Sequence, residues 1–320
     1  MVKLDLKDKK ILFELDKNAR QSNSQIAKKV GLSKDSIGYR IKQLEDKKIL
    51  SGYRAVIDFS KLGFIWNRLV FNFIDVNEKI LSELISFLKK EENVWGIARN
   101  EGEWDFAFTY LTKTNVEFYE FYEKFAKKFR KIIARKLISQ MLKYDEVERV
   151  YLIDRKPKVR EKIKFNTEEV KVDETDLKIL KLISHNARIK LIDVAEKLNL
   201  SSMLVHQRIK KLEKNKIILS YKADLNVMAL GRDYYGVKMN LRDYSEKEKI
   251  MQEIYSLNEM TAVLYHVGGY DIEFDLELEN TKRYHEIINS LRNKFISIRE
   301  IKSMRAVEYY KLNHFPKTTQ

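Results

Sequence analysis

Residues 5–63 of this chain occur a second time further on. A displacement of about 168 residues lays Asp5-Leu6-Lys7-Asp8-Lys9-Lys10-Ile11-Leu12 on Asp173-Glu174-Thr175-Asp176-Leu177-Lys178-Ile179-Leu180 without a gap. Asn18-Ala19-Arg20 falls on Asn186-Ala187-Arg188, Leu32-Ser33 on Leu200-Ser201, Arg40-Ile41-Lys42 on Arg208-Ile209-Lys210, and Leu62-Gly63 on Leu230-Gly231. So many coincidences in one register mark an internal duplication, which restricts the chain to architectures made from two copies of one unit. The 320 residues leave room for two to four domains, and an apolar fraction of 44% is enough to fill their cores.

Each copy opens with three helical patterns. Asp5 is placed to cap a helix with Leu6, Ile11, Leu12 and Leu15 on one face, and Ser22 to cap a short one with Ile26, Ala27 and Val30 inward. Gly31 supplies the positive φ that ends this helix, and Ser33 starts a third with Ile37, Ile41 and Leu44 inward. Residues 52–58 then read as a strand, which completes a winged helix-turn-helix. From residue 65 the period changes. Strands fit 66–75, 94–100, 104–111 and 137–153, and helices fit 77–90 and 114–133, the latter opened by a capping box from Thr114 to Glu117. The order βαββαβ is that of a ferredoxin-like unit, with both helices on one face of an antiparallel sheet.

Residues 156–171 are charged, poor in apolar side chains and contain Pro157, so they read as a linker. The second copy repeats the plan, with a winged helix-turn-helix over 173–224, strands over 233–241, 261–267, 270–278 and 298–312, and helices over 245–257 and 281–294. The expected fold class is α+β: two tandem units, each a winged helix-turn-helix followed by a ferredoxin-like βαββαβ sandwich. The domains span 1–63 and 64–155, then, after the linker, 172–231 and 232–320.

The net charge of +15 is spread along the chain and favours polyanionic partners, nucleic acid before an anionic membrane surface. Lys-rich composition in general would supply part of that excess. The absence of Cys excludes disulfides and thiolate metal sites and suits a reducing, cytoplasmic setting. The amino terminus lacks the apolar run of a signal peptide, and no stretch approaches the ~20 apolar residues of a membrane span. The five histidines, His185, His206, His266, His285 and His314, form no metal-ligand pair, and neither a nucleophile elbow nor a phosphate loop is present. No catalytic residue, metal or cofactor is therefore expected.

The motifs Asp5…Asp8…Ile11-Leu12, Asn18-Ala19-Arg20, Ala27…Gly31-Leu32-Ser33, Arg40-Ile41…Leu44-Glu45…Ile49…Gly52-Tyr53 and Leu62-Gly63 resemble the amino-terminal half of the Lrp/AsnC, or feast/famine, transcription regulators. The turns Gly102-Glu103-Trp104-Asp105 and Gly268-Gly269-Tyr270-Asp271 resemble the Gly-x-aromatic-Asp turn of that family's effector domain. The resemblance implies dimers made through the sheets, inverted DNA half-sites and an amino-acid-type effector near that turn. One chain here holds what two subunits would supply. An intramolecular pseudo-dimer follows, with further association between chains left open.

On the third helix the outward positions are Lys34, Asp35, Ser36, Tyr39 and Arg40. Lys34 suits phosphate, Ser36 and Tyr39 suit bases, and Arg40 suits a guanine edge or a phosphate. In the second unit those positions hold Ser202, Met203, Leu204, Gln207 and Arg208, with His206 in place of Gly38. The two readers should prefer unlike half-sites. Alternatively, the second has turned to packing, as Met203, Leu204 and the capless Lys190 suggest. Effector contacts are assigned to Gly102, Trp104, Asp105, His266, Gly268, Tyr270 and Asp271, with turn amides holding a carboxylate and an Asp accepting from an amino group. The competing reading makes Gly102 and Gly268 simple hairpin turns and gives both Asp to local backbone. The basic run Lys124, Lys127, Lys128, Arg130, Lys131, Arg135 and Lys136 reads as a solvated helix face, with a wrapping surface for bent DNA as the alternative. The expected function is sequence-specific double-stranded DNA binding in transcription regulation. Two rivals remain: sirohaem decarboxylases, which are built on the same fold and sometimes fused, and nonspecific DNA packaging.

Overall fold

The computed structural model describes residues 4–165, 168–312 and 314–316. The first unit runs α1 Leu6–Lys17, α2 Asn23–Val30, α3 Lys34–Asp46, β1 Leu50–Ile57, β2 Ile65–Phe73, α4 Glu78–Lys90, β3 Val94–Gly102, β4 Phe106–Thr112, α5 Asn115–Phe129, β5 Ile133–Val147 and β6 Val159–Lys164. The second runs α6 Glu174–His185, α7 Leu191–Leu198, α8 Ser202–Lys214, β7 Ile218–Leu225, β8 Asp233–Leu241, α9 Lys247–Tyr255, β9 Met260–Val267, β10 Ile272–Leu278, α10 Thr281–Lys294 and β11 Ile298–Leu312. Both units are thus a winged helix-turn-helix followed by βαββαβ.

Local chemistry accounts for most boundaries. Asp5 and Asp8 form a reciprocal capping box on α1, Ser22 and Gln25 another on α2, and Gly31 ends α2 at φ 71°. In the second unit α7 starts at Lys190 without a side-chain cap and ends on Asn199 at φ 53°. Some details differ from the pattern. Leu6 is 60% exposed, because α1 buries Ile11, Leu12, Phe13 and Leu15 instead. The Thr114 box is half formed, since the Glu117 carboxylate accepts from Lys113 N–H at 2.8 Å. Residues 156–171 are not extended linker throughout: β6 pairs with the end of β5, Lys143 opposite Lys164 and Val147 opposite Val159, and buries Ile163.

Among the described residues the strands form two sheets. β1 and β7 make an antiparallel ribbon, and the others follow the order β2-β4-β3-β11-β8-β10-β9-β5-β6, with β2 also paired to β5. That last pairing closes a barrel from the two units. β5 is fifteen residues long and lies along β2 in its first half and along β9 of the other unit in its second. β11 does the same with β8 and then β3. Helices cover the outside. Phe121, Phe125 and Phe129 of α5 pack on Phe71, Phe106 and Phe108, while α9 and α10 pack on Val237, Phe274 and Leu276. The basic side of α5 faces outward, with Lys124 on Glu91 and Lys127 on Glu123.

Gly102 shows how tightly the units join. Its φ is +111°, a Cβ there would run into the Ser303 carbonyl, and the next amide, Glu103 N–H, donates to that carbonyl at 2.8 Å. Gly102→Ala should lower stability by about 1–3 kcal/mol through strain and clash. Gly96→Ala, whose Cβ would meet Leu312 at an ordinary 3.7 Å, should change it by less than about 1 kcal/mol. Urea unfolding of both variants checks the difference.

Candidate nucleic-acid interface and barrel interior

The readers are joined before any DNA is bound. In the β1–β7 ribbon Arg54 lies opposite Lys222, its own counterpart in the repeat, so the pseudo-twofold axis passes between them. The repeated Asn-Ala-Arg motif fastens the ribbon on both sides. Ala19 N–H donates to the Tyr221 carbonyl at 2.8 Å, and Ala187 N–H to that of Tyr53 at 2.9 Å. The Arg20 guanidinium stands 5.0 Å from the Tyr221 ring centre and Arg188 stands 5.1 Å from that of Tyr53. The two phenols donate in turn to Glu213 and Glu45. Each half of the motif therefore grips the other unit.

Lys34, Tyr39, His206 and Gln207 are exposed on α3 and α8, with Ser36 and Ser202 partly so. Ser36 Oγ accepts from Ser33 Oγ at 2.8 Å and the Tyr39 hydroxyl from Gln43 at 2.8 Å. Met203 and Leu204 are also exposed. Arg40 and Arg208 are placed otherwise than expected. Arg40 Nη1 donates to Asp5 at 2.8 Å and Asp8 at 2.6 Å, and Arg208 Nη1 to Asp173 at 2.7 Å and Asp176 at 2.9 Å. A guanidinium held by two carboxylates is not poised to fork onto a base. It ties the reading helix to the first helix of its unit, because the capping carboxylates of α1 and α6 lie within its reach.

The two Gly-x-aromatic-Asp turns meet. Trp104 Nε1 donates to the Tyr270 hydroxyl at 3.3 Å, and that hydroxyl donates to Glu103 at 3.3 Å. Arg135 covers the Trp104 ring at 4.4 Å and pairs with Glu103 at 2.9 Å. Gly268, at φ +75°, passes close to the Ile138 carbonyl. Asp105 and Asp271, expected to accept from an effector's amino group, instead accept backbone N–H groups, of Phe73 at 2.8 Å and Leu241 at 2.7 Å. Their own amides donate to Phe71 and Met239. Both carboxylates thus pin β2 and β8, as local backbone partners.

His266 faces the barrel interior, its Nδ1 3.3 Å from Glu273. Burial lowers its proton affinity, and the neighbouring charges of Arg68 and Lys238 act the same way against the pull of Glu273. This interior is charged. On β10 the apolar Ile272, Phe274, Leu276 and Leu278 face the helices, while Glu273, Asp275 and Glu277 alternate with them and are buried too. Arg68 forks onto Glu273 at 2.7 and 2.8 Å. Although burial raises the Glu273 carboxyl, Arg68 and His266 hold it well below the usual range. Burial pushes Asp275 up to about 6 against Tyr234 and Lys238, and lowers Lys238 to about 8. Glu277 takes Arg149 at 2.9 Å, and Arg149 reaches Asp16 at 2.5 Å. Asp16 also meets Arg160 at 2.9 Å and Lys222 at 3.6 Å, and Lys222 pairs with Glu146. Burial would raise Asp16, but these three cations hold it far below its ordinary value. The network joins α1 and β7 of the reader pair to the barrel.

A cavity of ≈ 260 Å³ lies where β1 meets the barrel, lined among others by Arg54, Trp66, Trp95, Glu146, His266 and His314. Burial and the charge of Arg54 depress His314 to about 3, so its imidazole is neutral. Sequence reasoning assigned none of Arg68, Lys238, Glu273, Asp275 or Asp16 a role. The available signal was an Arg inside the apolar run of β2 and the strict acid alternation of β10. Among the described residues no group of His, Asp and Glu is arranged to hold a metal ion, and no helix is long and apolar enough to cross a membrane.

The doubled winged reader on a two-unit barrel defines a helix-turn-helix DNA-binding protein, and the winged helix-turn-helix DNA-binding family matches residues 4–50 and 172–218. An uncharacterised HTH-type transcriptional regulator of Pyrococcus furiosus is 31% identical over 138 residues, covering 43% of this chain and 89% of that protein. HTH-type transcriptional regulator LrpA of Pyrococcus horikoshii is 35% identical over 100 residues, 31% of this chain and 70% of LrpA. The chain belongs to the Lrp/AsnC family of transcription regulators. The solved siroheme decarboxylase NirDL matches 98% of this chain and 94% of its own at a TM-score of 0.67 and 12% identity, a likeness of fold.

The raised Asp275 carboxyl has a measurable consequence. Between its ordinary value of 3.8 and about 6 this carboxyl binds an extra proton in the folded chain, so its own contribution to stability falls as pH rises through that window and is level above it. Asp275→Asn lacks this slope. Its stability relative to wild type should therefore rise by up to about 3 kcal/mol between pH 4 and pH 6, read from urea midpoints across that range.

Proposed function

We propose that this protein is a sequence-specific double-stranded DNA-binding transcription regulator whose two unlike readers address an asymmetric site. The observation that carries this reading is the β1–β7 ribbon, which holds α3 and α8 as one body with their N-capped, exposed faces on a chain of net charge +15. Lys34 meets phosphate, while Ser36 and Tyr39 on one reader, with Ser202, His206 and Gln207 on the other, face base edges. Arg40 and Arg208 position the helices through their carboxylate clamps. The domains act as two readers, residues 1–63 and 172–231, on a shared two-part sensor and pairing body, 64–155 and 232–320. The chain is its own pseudo-dimer.

A decarboxylase reading draws on the whole-length fold likeness alone. Against it, the cavity of ≈ 260 Å³ between β1 and the barrel falls below the ~300–1,000 Å³ of pockets that enclose drug-sized ligands, and the larger hollows of ≈ 410, 450 and 480 Å³ are more open grooves. Sirohaem added to the purified chain should be neither retained through gel filtration nor decarboxylated; either result would replace the regulator reading.

Selection of bound DNA from a random pool should yield one motif with two dissimilar halves. A palindromic motif would remove the asymmetry, and recovery of no shared motif would remove the regulator. Lys34→Ala should weaken binding to all sequences alike and reduce the salt slope by about 1. Tyr39→Ala should relax preference in one half only, by about 1–3 kcal/mol at the affected base pair.

A further inference from the structure

The pseudo-twofold axis makes the junction between readers and barrel occur twice, and the two junctions are built differently. At one, Asp16, Arg149, Lys222 and Glu277 fill the space with ion pairs. By the repeat and the sheet register, Asp16, Lys222 and Glu277 have as counterparts at the other Ser184, Arg54 and Leu111. No acid of that set remains there, and the ≈ 260 Å³ cavity stands in place of the network. A space of that size at one of two equivalent joints is a local feature of this chain and not a consequence of the fold.

Its walls state what would fill it. The Trp66 ring lies 5.1 Å from Trp95 and 5.5 Å from Phe165, centre to centre, which gives flat aromatic surface. Trp66 is 8% exposed and its Nε1 finds no acceptor among the described residues; Glu146 is 5% exposed, and its Oε2 finds no donor, although its other oxygen meets Lys222. A buried polar atom left unpaired is costly, and since both atoms are closed to solvent, a guest that accepts from one and donates to the other meets them as the two side chains turn toward the cavity. We propose that this cavity binds a small planar heteroaromatic molecule bearing both a hydrogen-bond acceptor and a donor, of the size of one fused bicyclic ring.

Such a guest touches β1 directly through Arg54 and its neighbours. β1 is one half of the ribbon that carries both readers, so occupancy biases their placement together and alters DNA affinity. That coupling rests on the DNA-binding reading; the binding site itself does not.

Titration of the full chain with adenine, guanine, xanthine and L-tryptophan, followed by calorimetry and by quenching of the tryptophan emission, tests the site. At least one probe should bind once per chain and quench. Trp66→Phe, which keeps the ring wall and removes the donor, should weaken it at least tenfold, as should Glu146→Gln. Leu264→Trp fills the cavity without removing a polar group and should abolish binding, which covers the case in which the Glu146 variant fails to fold. Absence of binding by all four probes, or binding untouched by Trp66→Phe and Leu264→Trp, overturns the site. Lys34→Ala should leave probe affinity unchanged while weakening DNA, so loss of the DNA activity and loss of the site are read separately. A probe that binds and quenches yet leaves the affinity for the selected DNA unchanged overturns the coupling.

Discussion

β5 and β11 each serve both units, and the rest of the molecule follows from that sharing. A ferredoxin-like unit alone has open edges and one uncovered face, both hazards in water. Here each fifteen-residue strand begins in its own unit and finishes along the other, so the edges pair and the bare faces turn toward each other. Closure has a chemical consequence. The alternation of β10 would ordinarily put Glu273, Asp275 and Glu277 into solvent, but the barrel takes them inside. Buried acids need partners, and Arg68, Lys238 and Arg149 supply them from β2, β8 and the segment after β5.

This arrangement suits a fused chain. In a symmetric dimer every contact across the axis occurs twice, so an acid that meets a base there requires both residues in both copies. Here the positions on β4 that correspond to Glu273, Asp275 and Glu277 are Ala107, Thr109 and Leu111, so one unit brings the acids and the other brings Arg68 and Arg149 against them. Duplication within one chain removed the requirement that both halves be alike. The same freedom separates the reading faces of α3 and α8 and leaves one reader–barrel joint packed with charge and the other hollow.

The repeated motifs divide along the same line. Asn-Ala-Arg recurs because it holds the units together, by a backbone hydrogen bond and a cation over a ring across the ribbon, and the Arg of each reading helix recurs because it clamps that helix to the first helix of its own unit. Positions free of such duties, such as Lys34 against Ser202 and Tyr39 against Gln207, have diverged. Repetition within a chain thus marks architecture more than recognition.

The sequence alone determined the duplication, the helix-turn-helix with its caps and its Gly31 turn, the βαββαβ order and the family, because those depend on contacts a few residues apart and on hydrophobic period. It also placed most strands within a few residues, as for β11, but could not see β6 in a segment whose charge hides Val159 and Ile163. The tasks of Arg40, Asp105, Asp271 and His266 were decided by tertiary structure. Each is a polar group whose role depends on what stands opposite, and its partners lie on other elements, from Asp5 for Arg40 to Glu273 for His266. Local pattern tells which face of a strand is polar; only closure of the barrel decides whether that face meets water, an ion pair or a cavity.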